Sequence, residues 1–333
     1  MSGRRWIYSL GLTLIAAGLL IVGGTWIRSG QNPQEAALAG AEYEPVEMTI
    51  DGAETASIAI YDLNSTIRLT RSPDGDIHVT GQQTKKDRLA LLHDEEGKVC
   101  FSRLADRDWF DMIAIFPAAQ DFTTIVALPE GYAGDVQATN DNGGIFAEDK
   151  STSGALDLAA SNAPVVVRNQ AVKSLNVKTS NGEVILENIV SEGNVDVSGS
   201  NGSVDVRNLS VGGAFGAQNS NGALILKDVS AHEMRASTSN GKATAENVAA
   251  AACFSLHTSN ADLLLNRVQA SEFSVGTSNG SIAGSIVGDE QDYDIEAKTS
   301  NGQLRLPQGG HEGAPGKLIA LTSNGDIDLE FVD

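Results

Sequence analysis

The sequence predicts an all-β chain: a parallel β-solenoid of about ten coils of 19–23 residues, behind an irregular β cap and one N-terminal transmembrane helix. Three observations carry that prediction. Asn-Gly or a close variant recurs ten times between Asp141 and Gly325, apolar residues stand at fixed offsets around every copy, and one uncharged apolar run lies near the N-terminus.

The first element is that run. Arg4 and Arg5 precede Trp6 to Ile27, and Trp6 and Trp26 are twenty residues apart. In a helix that spacing is about 30 Å, the thickness of a bilayer core, with tryptophans at both interfaces. Residues 1–28 therefore read as a cytoplasmic stub and uncleaved signal anchor. A cleaved signal peptide is the alternative. Ala37-Leu38-Ala39 suits a peptidase but lies well beyond Ile27, and the apolar run exceeds the usual signal-peptide length. Leu38-Ala39-Gly40-Ala41 lacks the cysteine of a lipoprotein box. Arg4 and Arg5 against Arg28 place the N-terminus in the cytoplasm and the bulk of the chain outside a single-pass cell membrane protein.

Residues 29–43 are a polar, small-residue linker, and residues 44–130 show β-type alternation without the regular period. Thr66–Thr70 and Asp76–Thr80 flank Ser72-Pro73-Asp74-Gly75, the turn chemistry of a hairpin. Lys98–Arg103, Met112–Phe116 and Phe122–Leu128 read as further strands. This region is expected to cover the first coil, because a bare solenoid end exposes strand edges and an open apolar section.

Residues 131–333 hold the repeats, with asparagines at Asn142, Asn162, Asn181, Asn201, Asn221, Asn240, Asn260, Asn279, Asn301 and Asn324. The steps are 19 or 20 until the last two, which are 22 and 23. Six residues before each asparagine runs an apolar column from Val136 and Leu156 to Ile295 and Leu318; four before runs another, including Ala138, Leu158 and Val177. After each corner the alternation restarts, as at Ile145, Val165 and Val184. Period-two alternation marks a half-buried strand. Each unit is strand, Ser-Asn-Gly corner, strand and a second corner, where Asn169, Asn188, Asn208, Asp228 and Asn247 stand. Asn tolerates the left-handed backbone region and Gly has no Cβ to clash there, so the Asn-Gly corner is expected to use that region.

Asn-Gly between alternating apolar residues also signals antiparallel hairpins. Column identity favours the solenoid. Residues stacked about 4.8 Å apart must match in size and polarity from coil to coil, whereas hairpins need only alternation. Stacked asparagines can bond amide to amide along the axis at a buried corner.

With 43 acidic against 23 basic residues the formal net charge is −20, which repels nucleic acid and anionic lipid headgroups. The acidic residues are dispersed, as on a solvated exterior. Glycine-rich calcium-binding nonapeptides and EF-hand loops are absent. Cys100 and Cys253 read as two unpaired thiols, and none of the five histidines has metal-ligand spacing. His257 shares its column with Lys178, Gln218 and Lys298, a solvated position. No nucleophile elbow, phosphate loop or dinucleotide fingerprint occurs, so no catalytic residue, cofactor or metal site is predicted.

The alternative reading is a polysaccharide-binding or polysaccharide-cleaving β-helix, which needs carboxylates gathered on adjacent coils. Asp205 and Asp328 share an outward column but stand six repeats apart, about 29 Å. Thr179, Thr238, Thr258, Thr277, Thr299 and Thr322 form a column two before the asparagines. They have inward parity, so backbone bonding at the corner explains them better than an ice-binding array. Phe146, Val166, Ile185, Ile225 and Leu264 stand four after the asparagines, where side chains face out. They form a candidate protein-contact stripe, or are covered by a cap segment or loop.

The Thr-Ser-Asn-Gly corners followed by Val-x-Leu, with Leu128-Pro129-Glu130-Gly131 leading into the first repeat, resemble the bacterial putative-adhesin family of β-strand repeats, a domain of unknown function in membrane-anchored envelope proteins. The resemblance covers roughly residues 44–333. It implies a β-solenoid displayed at the cell envelope, in adhesion or envelope stress, with an envelope protein or glycan as partner and no catalytic residues to transfer. Asn162-Ala163 and Asn260-Ala261 depart from its corner.

Overall fold

The computed structural model describes residues 44–84, 87–93, 97–105, 122–149, 152–307 and 311–333. The expected membrane span, the linker and the strand expected over Met112–Phe116 lie outside them. Among the described residues no helix is long and apolar enough to cross a membrane.

Alternating apolar and polar residues make almost every element a strand. The N-terminal part holds β1 (Glu44–Asp51), β2 (Ser57–Asp62), β3 (Thr66–Arg71), β4 (Asp76–Gln83), β5 (Asp87–His93), β6 (Lys98–Ala105) and β7 (Thr123–Leu128). The repeats begin with β8 (Asp135–Asn140), β9 (Ile145–Glu148), β10 (Ala155–Ala160), β11 (Val165–Val172), β12 (Ser174–Thr179), β13 (Val184–Ser191), β14 (Val195–Ser198), β15 (Val204–Val211) and β16 (Ala214–Gln218). They continue through β17 (Leu224–Ser237), β18 (Ala243–His257), β19 (Leu263–Gln269), β20 (Glu272–Gly276), β21 (Ile282–Val287), β22 (Tyr293–Thr299), β23 (Leu304–Arg305), β24 (Gly316–Thr322) and β25 (Ile327–Val332).

Like strands stack in parallel and in register. Those before the corner run β8–β10–β12–β14–β16, and those after it run β9–β11–β13–β15–β17. Leu156 thus lies between Val136 and Leu175, and Val165 between Ile145 and Val184. The chain is a parallel β-solenoid, and the antiparallel alternative fails in the repeats. Past the second corner a short third segment buries Ile189, Leu209, Val229, Val248 and Val268, so the core runs the length of the stack.

The order of the last coils departs from the sequence. β24 pairs with β20 on one side and β22 on the other, and β25 lies between β21 and β23. The C-terminal coil is therefore inserted beneath the one that precedes it in the chain. After β21 the backbone must pass one level and later return, which explains the lengthened steps of 22 and 23. Gly288, at φ 134, and a 3-10 turn over Glu290–Asp292 make the climb; the Asp289 carboxylate accepts from Gln291 N at 3.0 Å and caps that turn. β22 and β23 become the end of the stack, leaving Ile295 and Ala297 half-buried and Leu304 51% exposed.

The other end shows the same exchange. β2 lies between β6 and β8, and β3 between β7 and β9, all in parallel. The expected hairpin over Thr66–Thr80 does not form. β7 separates the two strands, pairing parallel with β3 and antiparallel with β4. The turn residues still reverse the chain, but the edge they would have paired is taken by a later strand. β5 on β6, β4 on β7 and β1 on β4 are antiparallel and close this end.

Arg103 locks the closure. Its guanidinium, 2% exposed, donates to Asp62 Oδ2 at 3.0 Å, Asp87 Oδ1 at 3.2 Å, Thr124 Oγ1 at 3.1 Å and the Gln82 carbonyl at 3.1 Å. Asp62 Oδ1 accepts the Asn64 and Ser65 amides, so the buried pair is almost fully hydrogen-bonded.

The corners correct the expected chemistry. Left-handed φ values fall at the second corner, on Asp149, Asn169, Asn188, Asn208, Asp228, Asn247 and Arg267, and not on the Asn-Gly glycines. Those glycines serve close stacking. A Cβ would lie 1.8 Å from a carbonyl oxygen of the preceding coil at Gly182, 1.9 Å at Gly202 and 2.0 Å at Gly222. Ala163 and Ala261 therefore put no left-handed position at risk. The column two before the asparagine clasps the same corner: the hydroxyls of Thr238, Thr258, Thr277 and Thr322 donate to carbonyls at residues 222, 241, 261 and 280 of the neighbouring coil. Because Ala tolerates the left-handed region poorly, Asn188→Ala should destabilise by about 1–2 kcal/mol more than Asn188→Gly. Both lose the side-chain amide, so urea unfolding of the two variants isolates the backbone cost.

Candidate functional site

Alternation in the second strand of each coil sends every other side chain outward, and parallel register collects these into columns. Phe146, Val166 and Ile185 stand on consecutive coils. Asp205 follows, then Ile225, Thr244, Leu264 and Ala283. The structure thus brings the five stripe residues into one column but divides it at Asp205 and Thr244. Exposure is uneven: Val166 is buried at 4%, Phe146, Ile185 and Ile225 are half-buried, and Leu264 is 38% exposed.

Charged neighbours flank the column. Arg68 lays its guanidinium over the Phe146 ring at 4.7 Å and reaches Glu148 at 3.4 Å. Two residues further along each strand, Arg168 lies between Glu148, at 3.4 Å, and Glu187, at 2.9 Å. Arg207 grips Asp205 with two bonds of 2.8 Å, and Lys227 meets Glu246 at 2.9 Å. Hydrogen bonding and the carboxylate charge raise the pKa of Arg207 and of Lys227 above their ordinary values. The result is a sheet face whose apolar column is interrupted by Asp205 and Thr244 and margined by ion pairs. Such a face suits contact with another protein surface.

The asparagines form a continuous ladder on a different edge. Each Nδ2 donates to the preceding Oδ1: Asn142 to Asn64 at 2.9 Å, Asn162 to Asn142 at 2.8 Å, Asn181 to Asn162 at 2.7 Å, and onward through Asn201, Asn221, Asn240 and Asn260 to Asn279. Asn324 then donates to Asn279 at 2.8 Å and Asn301 to Asn324 at 2.9 Å, following the exchanged order. The corner is exposed, not buried as expected, so the ladder is a solvent-facing ridge. The second corner has its own amide chain, with Asn169, Asn188 and Asn208 linked at 3.0 and 2.8 Å.

Groups with acid-base chemistry are scattered. His78 bonds Asp74 at 2.8 Å and Thr49 at 3.2 Å, holding the exposed turn before β4; the Asp76 amide and this imidazole lower the Asp74 pKa. His257 is exposed and bonds Ser274 at 3.2 Å. With the exchanged order, Asp205 and Asp328 are five coils apart, about 24 Å, and Asp328 pairs with Arg305 at 3.2 Å. Cys100 and Cys253 are unpaired, and burial raises the Cys100 thiol pKa. Among the described residues no cluster of three metal-ligating side chains occurs.

A groove of about 740 Å³ escaped the sequence reading. It lies along the third side between Ala250, Ala270, Tyr293 and Pro315, and Tyr293 donates to the Ala270 carbonyl at 2.7 Å. Pro315 and Gly316 reach this wall only because the C-terminal coil is inserted, which no local motif announces.

Among solved structures, the chain is similar to one described as a putative adhesin from Parabacteroides merdae, at 11% identity and TM-score 0.45, covering 87% of this chain and 96% of that one. A putative adhesin from Bacteroides fragilis aligns at 13% identity and TM-score 0.40, covering 86% and 97%. A putative cell adhesion protein from Clostridium sporogenes aligns at 8% identity and TM-score 0.30, covering 87% and 100%. No curated protein matches. The Toastrack DUF4097 family model matches residues 55–330, which takes in the exchanged coils at both ends, and the chain belongs to that family.

Proposed function

We propose that the chain is a non-enzymatic, membrane-anchored scaffold of the cell envelope, an adhesin-like rod whose acidic body stands outside the cell and binds a protein partner along the face of the second strands. The observation that supports this most is the outward column of Phe146, Val166, Ile185, Ile225 and Leu264, interrupted by Asp205 and Thr244 and margined by ion pairs. The uncharged run from Trp6 to Ile27 supplies the anchor in this reading. Membership of a domain family of unknown function is in keeping with it, as is the scatter of His, Cys, Asp and Glu among the described residues.

Full-length tagged protein, cross-linked in intact envelopes and purified, should retain a protein partner identified by mass spectrometry. The double variant Ile185→Asp, Leu264→Asp should lose that partner while changing stability by only about 1 kcal/mol, since both positions face outward. A melting loss of several kcal/mol, or an unchanged partner yield, would refute the assignment of this face. Probing envelope glycans with the same protein separates the polysaccharide reading: saturable binding or chain shortening would replace the present one.

A further inference from the structure

Among the described residues the amide ladder runs from Asn64 to Asn301, and these two extremes differ chemically. At the capped end Asn64 accepts from Asn142 and is followed by Ser65. At the open end Asn301 donates to Asn324, and among the described residues no amide donates back to its Oδ1. Asn301 is followed by Gly302. It also sits before β23, two residues long, which pairs with β25 alone.

An Asn-Gly dipeptide is chemically labile because glycine lets the backbone nitrogen approach the asparagine side chain. Eight of the ten corners carry it. Inside the stack that approach is blocked twice: the amide is held by both neighbours, and the glycine is pressed against a carbonyl of the adjacent coil. Glycine amides are also engaged at some corners, as Gly182 N donates to Thr179 Oγ1 at 3.0 Å. Gly302 is pressed in the same way, with a Cβ position 2.0 Å from the Gly325 carbonyl oxygen, so Asn301 differs in its side-chain amide, held from one side only, and in standing before β23, which pairs with β25 at just two positions, where local opening is cheapest.

From this we infer that Asn301 is a site of spontaneous deamidation in the folded protein, and that the ladder shields the other Asn-Gly corners. The Gly302 nitrogen attacks Asn301 Cγ. A nitrogen–carbon bond forms, the Cγ–Nδ2 bond breaks, and ammonia leaves carrying the Gly302 amide proton. Water then opens the resulting succinimide at either carbonyl to give aspartate or isoaspartate. No electron transfer is involved. The new carboxylate cannot donate to Asn324, and isoaspartate lengthens the backbone by one atom, so the end coil loosens while the interior keeps its register.

Native full-length protein is aged at mildly alkaline pH, digested, and quantified for aspartate and isoaspartate at each corner, beside a urea-unfolded sample. The inference expects native Asn301 to convert several-fold faster than Asn142, Asn181, Asn201, Asn221, Asn240, Asn279 and Asn324, with rates converging once unfolded. Fastest conversion at Asn324 or an interior corner, equal native rates, or a stable Asn301 beside reactive unfolded sites would overturn it. In Asn324→Ala, Asn279 loses its upper partner and should accelerate, while Asn142 to Asn240 stay slow. Acceleration at every corner would report unfolding of that variant, and the native comparison still decides.

Discussion

Arg103→Ala should lower the free energy of unfolding by about 3–5 kcal/mol, because it strands the buried Asp62 carboxylate without its cation. Arg103 ties β6 to β2, to β4 through the Gln82 carbonyl, to β5 through Asp87 and to β7 through Thr124, so the loss reaches most strands of the closed end. Equilibrium denaturation in urea measures the effect. The double variant Arg103→Met, Asp62→Leu should recover only part of it: the stranded charge is gone, but the Asn64 and Ser65 amides and the Thr124 hydroxyl lose their acceptor. A loss below about 1 kcal/mol for Arg103→Ala would mean that water reaches the Asp62 carboxylate.

Phe254→Ala should cost a similar 3–5 kcal/mol through the cavity left in the core. Phe254 is fully buried at 0% exposure, with Met234 and Phe273 on the adjoining coils and the Phe273 ring centroid 6.0 Å away. Each coil contacts only its neighbours, so the damage should be local in native-state hydrogen exchange. Amides of β17, β18 and β20 should lose protection while those of β8 and β9 keep theirs. Uniform loss along the stack would show instead that the rod unfolds as one cooperative unit.

What could be seen in advance was what repetition encodes. Val136, Leu156 and Leu175 share one size and polarity because they occupy one column, and that requirement separates stacked coils from hairpins. The threonine clasp followed from parity alone. Coil order did not, because Ile295 and Leu318 satisfy the same column in either sequence of stacking; only the longer steps hinted at it. The hairpin failed since Ser72-Pro73-Asp74-Gly75 fixes a turn, not the partner of the strands it joins. Glycine at the first corner was read as a dihedral requirement, yet contact with the next backbone is a tertiary cause that sequence leaves unstated. For the stripe, parity placed Phe146, Val166, Ile185, Ile225 and Leu264 on one face, while the near-complete burial of Val166 depends on packing between neighbours.

Engineered disulfides test the parallel, exchanged stack most directly, in a background where Cys100 and Cys253 are replaced by serine. Ser274 lies opposite Ile319, whereas Glu296 is on the far side of β24, about 9.6 Å from Ser274. Ser274→Cys with Ile319→Cys should oxidise readily, and Ser274→Cys with Glu296→Cys should stay reduced. Oxidation of the second pair and not the first would contradict the arrangement, since it would put the coils in chain order.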